Sequence, residues 1–195
     1  RNLDGNILLH QKEIYFFTRG KKMISFMNKY IEPQTRFIYS TKELYNVCMD
    51  KFETYIVGSD QVWRPEYVPN IENFFLDFTS GWNVRRIAYA ASFGVSNPLY
   101  TDREKKICAK LVSKFNAISV REKSGLNIIS EFNWNVINKT VVLDPTMLLS
   151  KERYSSLIPS KAGKTKNKIF CYVLDESNDI NKIINRLCNI SQKER

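Results

Sequence analysis

Four short apolar runs punctuate the chain, and each breaks off at a small or charged residue. Thr54-Tyr55-Ile56-Val57 stops at Gly58, Arg86-Ile87-Ala88-Tyr89-Ala90-Ala91 at Ser92, Ala117-Ile118-Ser119-Val120 at Arg121, and Thr140-Val141-Val142-Leu143 at Asp144-Pro145. Runs this short, β-branched and bounded by turn residues predict strands. Between them the spacing changes to that of helices. Thr101 with Glu104 three residues later has the form of a capping box, and Ile107, Cys108, Leu111, Val112 and Phe115 then fall on one helical face. Leu126 and Ile129 predict a helix before the fourth strand. Upstream, Ile14, Phe17, Ile24, Met27 and Ile31 give a loose helical pattern, interrupted at Gly20 and stopped by Pro33, so one or two helices are expected there. Thr41-Lys42-Glu43-Leu44 opens another. Residues 61 to 84 hold Trp63, Pro65, Pro69 and Phe74-Phe75-Leu76-Asp77-Phe78, a loop pinned by its own aromatics.

Strand and helix thus alternate, which requires crossover connections and predicts a mainly parallel, Rossmann-like α/β sheet covered on both faces. Residues 1–150 form this lobe. Residues 151–168, with Lys161, Lys164, Lys166 and Lys168, read as a basic linker. After it, Ile169-Phe170-Cys171-Tyr172-Val173-Leu174 predicts a further strand, and Ile180, Ile183, Ile184, Leu187 and Cys188 mark a helix, so 169–195 is expected to begin a second α/β lobe.

The composition agrees with a globular protein of 195 residues: 43% hydrophobic and 26% charged. No apolar run approaches the ~20 residues of a membrane span and the first residues are not a signal peptide, so a cytoplasmic location is expected. The net charge of +10 is uneven, with +3 in residues 1–54, +2 in 55–150 and +5 in 151–195. A basic surface of this kind attracts phosphorylated substrates or anionic membrane headgroups. Nucleic acid is not expected as a partner, because the lysine run lacks interleaved aromatics and no nucleic-acid motif is present. Cys48, Cys108, Cys171 and Cys188 are widely spaced, which predicts reduced thiols and no metal site. Cys108 and Cys188 read as small core hydrophobes.

Ligands of an open parallel sheet bind beyond the carboxyl ends of its strands, where helix N-termini turn their free N–H groups outward. The polar breaks fall there. Gly58 could let a ligand approach the backbone, and Ser59 and Asp60 could offer a hydroxyl and a carboxylate, or simply cap the next turn. Ser92 and Gly94 repeat this choice between ligand contact and tight turn. Arg121 could clamp a phosphate or carboxylate with two N–H groups, or pair with Glu122 or Asp144. Asp144-Pro145 reads as a structural turn. His10, the one histidine, reads as a surface residue.

Taken in order, Tyr55-Ile-Val-Gly-Ser-Asp-Gln-Val-Trp63, Phe74-Phe-Leu-Asp-Phe78, Ile87-Ala-Tyr-Ala-Ala-Ser-Phe-Gly94, Ser119-Val-Arg-Glu-Lys-Ser-Gly125 and Val142-Leu-Asp-Pro-Thr146 resemble the polysaccharide pyruvyl transferase family from about residue 20 to about 175. The resemblance implies a two-lobed, GT-B-like fold of which this chain holds the first lobe, incomplete at both ends. It implies transfer of a pyruvyl group from phosphoenolpyruvate to hydroxyls of a sugar or lipid-linked saccharide, with no cofactor expected and peripheral association with the inner face of the membrane left open; a glycosyltransferase using a nucleotide sugar and a non-catalytic binding or scaffold protein are the alternatives. Arg121 matches the family's arginine after the strand and is expected to meet the donor anion; Ser59, Asp60 and Gln61 match the cleft-lining motif. The family's opening strand and G-N-x-G turn have no match, since Gly5-Asn6 follows no strand, and His10 does not match its general-acid histidine. The chain alone is therefore expected to be catalytically incomplete.

Overall fold

The computed structural model describes residues 20–31, 33–49, 51–158, 169–174 and 176–191, which fall into two compact units divided after Pro145. His10, Ile14, Phe17 and the lysine-rich stretch 161–168 lie outside the described residues. No described helix is long and apolar enough to cross a membrane.

In the first unit, α1 (Lys21–Tyr30) begins directly after Gly20 and ends three residues before Pro33. Helix α2 (Thr41–Cys48) is opened by Ser40, whose hydroxyl accepts from the Glu43 N–H. The sheet follows as β1 (Thr54–Val57), β2 (Arg85–Ala91), β3 (Ala117–Val120) and β4 (Lys139–Val141), all parallel and in the spatial order β1-β2-β3-β4. Helix α3 (Asp102–Val112) connects β2 to β3, and α4 (Lys123–Glu131) connects β3 to β4. The expected capping box at the start of α3 is present, with the Thr101 side chain on the Glu104 N–H and the Glu104 carboxylate on the Thr101 N–H. Such a cap contributes about 1 kcal/mol.

The expected aromatic loop between β1 and β2 folds into three short 3₁₀ turns and forms much of the core. Trp63 stacks on Phe75 with ring centres 4.8 Å apart, donates its indole N–H to the Phe74 carbonyl, and leans on Phe93. Trp134 meets Phe75, Phe93 and Tyr100 from the end of α4. On the buried face of α3, Cys108, Leu111 and Val112 complete this cluster. Burial pushes the Cys108 thiol up to about 12, so it behaves as the expected small hydrophobe. Fully burying each large apolar side chain contributes roughly 1.5–3 kcal/mol.

β3 is buried at three of its four positions, but β1 and β4 are not covered as expected. Ile56 is 64% exposed and every residue of β4 is exposed. Among the described residues both strands lie at the sheet's edges, with a neighbour on one side only. β4 also begins at Lys139 and ends at Val141, two residues before its apolar run does.

One irregularity shapes the functional edge. Between Ala88 and Ala91 of β2 an extra residue is accommodated opposite Ile118–Val120 of β3, and Ala90 takes a positive φ of 50°. A bulge of this kind removes ladder hydrogen bonds. Here the Ser119 hydroxyl replaces them, accepting from the Ala90 N–H at 3.0 Å and donating to the Ala88 carbonyl at 3.1 Å.

The second unit contains α5 (Lys151–Leu157) and α6 (Asn178–Ser191). The sequence placed the first of these in the linker; Ser150 instead caps it, accepting from the Arg153 N–H. Residues 169–174, expected as a strand, pair with no ladder among the described residues. An apolar run becomes a strand only beside a partner that takes its N–H and C=O groups.

Candidate functional site

The four polar breaks meet at the carboxyl edge of the sheet. Backbone bonds tie them in sequence: the Ser92 N–H donates to the Asp60 carbonyl (2.9 Å), the Trp63 N–H to the Ser92 carbonyl (3.1 Å), the Arg121 N–H to the Ala91 carbonyl (3.1 Å) and the Val142 N–H to the Val120 carbonyl (3.0 Å). Each loop after a strand is thereby fixed to the strand beside it.

Arg121 is the centre of the side-chain network. Its Nη1 donates to Asp144 Oδ2 at 3.3 Å and lies 3.5 Å from Asp60 Oδ1, while Nε lies 3.5 Å from Glu122 Oε2. Burial would lower the guanidinium's pKa, but the Asp144 hydrogen bond and the charges of Glu122, Asp60 and Asp144 outweigh it, and the net direction is up. Arg121 is a permanent cation. Both expected ion pairs, with Glu122 and with Asp144, are thus present, and a third is added from the loop after β1.

Ser92 is fully buried and its hydroxyl is used twice, donating to Glu122 Oε1 and accepting from the Gly94 N–H at 2.9 Å. It braces the loop, and in this arrangement it presents no atom to the open edge. Gly94 has φ 73°, and a Cβ on it would stand 2.1 Å from Gln61 Oε1. A side chain there would be strained by that φ, and Gln61 would have to shift to admit it. Gly58 is explained in the same way: at φ 128°, a Cβ would stand 2.0 Å from the Tyr89 carbonyl oxygen, so the close approach expected of a ligand is made by β2 itself. The Gly58–Ser59 peptide is cis. Ser59 is half-buried, and among the described residues its side chain makes no hydrogen bond. Asp60, at φ 65°, holds its carboxylate 80% exposed.

Sequence reasoning missed Arg64. Its Nη1 donates to Gln61 Oε1 at 3.1 Å, its guanidinium carbon sits 4.0 Å from the centre of the Tyr67 ring, and Nε lies 3.5 Å from Glu66. A signal existed in the spacing. Gln61, Arg64 and Tyr67 are three apart, and i→i+3 backbone bonds from Arg64 to Gln61 and from Tyr67 to Arg64 bring such side chains into line. Glu122 was weighed only as a partner for Arg121, yet it joins that arginine to Ser92. Arg64 thus holds Gln61, and Gly94, Ser92, Glu122 and Arg121 form a second connected polar chain.

A parallel sheet whose polar strand ends are tied together by backbone hydrogen bonds defines an α/β protein of the Rossmann-like class. The family model for polysaccharide pyruvyl transferase matches residues 7–194, nearly the whole chain, and the chain belongs to that family of transferases. No curated protein and no solved structure matches it.

Proposed function

We propose that this chain carries the donor-binding lobe of an enzyme that moves a pyruvyl group from phosphoenolpyruvate onto two hydroxyls of a sugar, within a cell-surface polysaccharide or its lipid-linked precursor. In that reaction the enol CH₂ carbon gains a proton, two sugar oxygens bond to the adjacent carbon and lose their protons, and inorganic phosphate leaves. The donor carries a carboxylate and a phosphate at its reacting carbon. A fixed guanidinium is suited to hold either with paired hydrogen bonds.

The observation that carries this reading, beyond membership of the family, is the placing of Arg121. It stands at the carboxyl edge, its side chain 31% exposed, anchored from below by Asp144 and Glu122. Ser59, whose hydroxyl makes no hydrogen bond among the described residues, and Gln61, held by Arg64, flank the same edge and are suited to orient the donor or the acceptor. Ser92 and Gly94 support them from beneath. In the GT-B-like fold that the family resemblance implies, a second lobe brings the proton donor.

Calorimetric titration with phosphoenolpyruvate tests the reading. Wild type is expected to bind, and Arg121→Ala to bind about 10- to 100-fold more weakly, the loss associated with a charge-assisted pair of hydrogen bonds. A nucleotide sugar should not compete. If the nucleotide sugar binds and phosphoenolpyruvate does not, the donor is a glycosyl donor and the reading is wrong.

A further inference from the structure

Arg121 faces three carboxylates, so the group suited to bind an anion carries a local excess of negative charge. A bound phosphate or carboxylate would add to it. The three partners are not equivalent. Asp144 is 20% exposed and makes the one geometric hydrogen bond to the guanidinium; Glu122 is 37% exposed, with Oε1 committed to Ser92 and Oε2 buried. Asp60 is 80% exposed, meets Nη1 at 3.5 Å, and makes no other ion pair among the described residues. Its backbone is fixed independently, because the Asp60 carbonyl accepts from the Ser92 N–H. The side chain can therefore leave without disturbing the loop.

We propose that Asp60 is an internal competitor for the anion site: its carboxylate occupies Arg121 Nη1 when the site is empty, and an incoming anion displaces it into solvent. Asp144 and Glu122 remain on the arginine and aim it. This inference rests on the reading of Arg121 as the anion-binding group, and it assigns Asp60 a role opposite to that of a substrate contact. An exposed ion pair is weak, and its cost to a competing anion is modest. The displaced carboxylate also stays near enough to repel dianions more than monoanions. Asp60 thus tunes both affinity and the preference for charge.

The test compares phosphoenolpyruvate and inorganic phosphate as separate probes on wild type, Asp60→Asn, Asp60→Gly, Arg121→Gln and the double variant Asp60→Asn/Arg121→Gln. Asparagine and glycine both tolerate the left-handed backbone at residue 60, so the two single variants should fold. Binding is read by calorimetry and melting by circular dichroism. Both Asp60 variants are expected to bind each probe about three- to tenfold more tightly than wild type, with the larger gain at pH 8, where phosphate is a dianion. Arg121→Gln should abolish that gain in the double variant. Unchanged or weaker binding by folded Asp60 variants overturns the proposal, as does a gain that survives Arg121→Gln, or an absence of Arg121-dependent anion binding throughout. A gain with inorganic phosphate but no binding of phosphoenolpyruvate supports the competitor and instead overturns the donor reading.

Discussion

Arg86 lies near the start of β2 and Arg121 just past the end of the neighbouring β3, at opposite ends of the same sheet, and the protein treats them differently. Arg86, near the start of β2, is buried and faces no carboxylate in ion-pair range among the described residues. Its Nε donates to Thr79 Oγ1 at 2.7 Å, its Nη2 to the carbonyls of Thr79 and Trp82, and its Nη1 to that of Val84. Burial lowers its pKa. Arg121, just past the end of β3, is partly exposed, surrounded by carboxylates, and shifted the other way. A guanidinium satisfied by carbonyls has its hydrogen-bonding directions used up and serves to knit a loop to a strand. One paired in part with an exposed carboxylate can exchange that partner for a ligand. The difference separates a cation whose donors are used up from one that keeps an exposed partner, which sequence position alone does not.

The comparison breaks down if the carboxyl edge proves soft. Gly58→Ala is the severest probe of its rigidity, because the new Cβ meets a backbone oxygen and the φ of 128° is closed to L residues. Destabilisation of roughly 3–4 kcal/mol is expected from the urea midpoint. A smaller loss, below about 1 kcal/mol, would show that β1 and β2 can move apart and that the loop geometry is not fixed.

At the opposite edge, Arg86→Met strips donors from buried acceptors and is expected to cost about 2–3 kcal/mol. Arg86→Lys should recover only part of it, since an ammonium cannot span the carbonyls that a guanidinium reaches. Full recovery would mean that charge, not the fork of donors, holds the 79–84 segment. Ser119→Ala comes next in size. It leaves the Ala88 carbonyl and the Ala90 N–H of the bulge without their partner, and a loss of about 1–2 kcal/mol is expected. Amide exchange at Ala90 should speed up in the variant while exchange in α3 does not.

Much of this architecture could be read locally. β1 and β3 have the bounds their apolar runs predict, and α3 begins at its capping box, because each is decided by residues close in sequence. The helix at Lys151–Leu157 and, among the described residues, the edge position of β4 and the lack of pairing at 169–174 depend on neighbours that no local pattern announces. The site was legible in the same measure. Arg121 and Asp60 stood out as polar breaks after apolar strands, but whether each faced a ligand or another side chain was a question of contacts 23 to 61 positions apart. The glycines were legible as special, and of the two readings offered for Gly94 the tight turn agrees with its φ of 73°; the atoms that a Cβ would crowd at both Gly58 and Gly94 are the protein's own. Arg64 lay hidden in an aromatic loop whose turn type aligns it with Gln61.

The smallest expected change in stability is also the most informative about the two arginines. Arg121→Gln removes ion pairs that water and salt already screen, so the urea midpoint should shift by less than about 1 kcal/mol. Glutamine keeps a donor for Asp144, which limits the loss further. Over the range in which the protein is folded, wild-type Arg121 does not titrate, since its carboxylates push an already high pKa upward. Its contribution to anion binding should accordingly be flat in pH, apart from the ionisation of the anion itself. Phosphoenolpyruvate binding in Arg121→Gln should nevertheless fall by about 10- to 100-fold. A variant that melts like wild type and loses the anion places Arg121 among functional groups and Arg86 among structural ones. If instead Arg121→Gln costs as much stability as Arg86→Met and leaves anion binding intact, both guanidiniums are braces and the anion site lies elsewhere on the edge, with Arg64 the next cation to substitute.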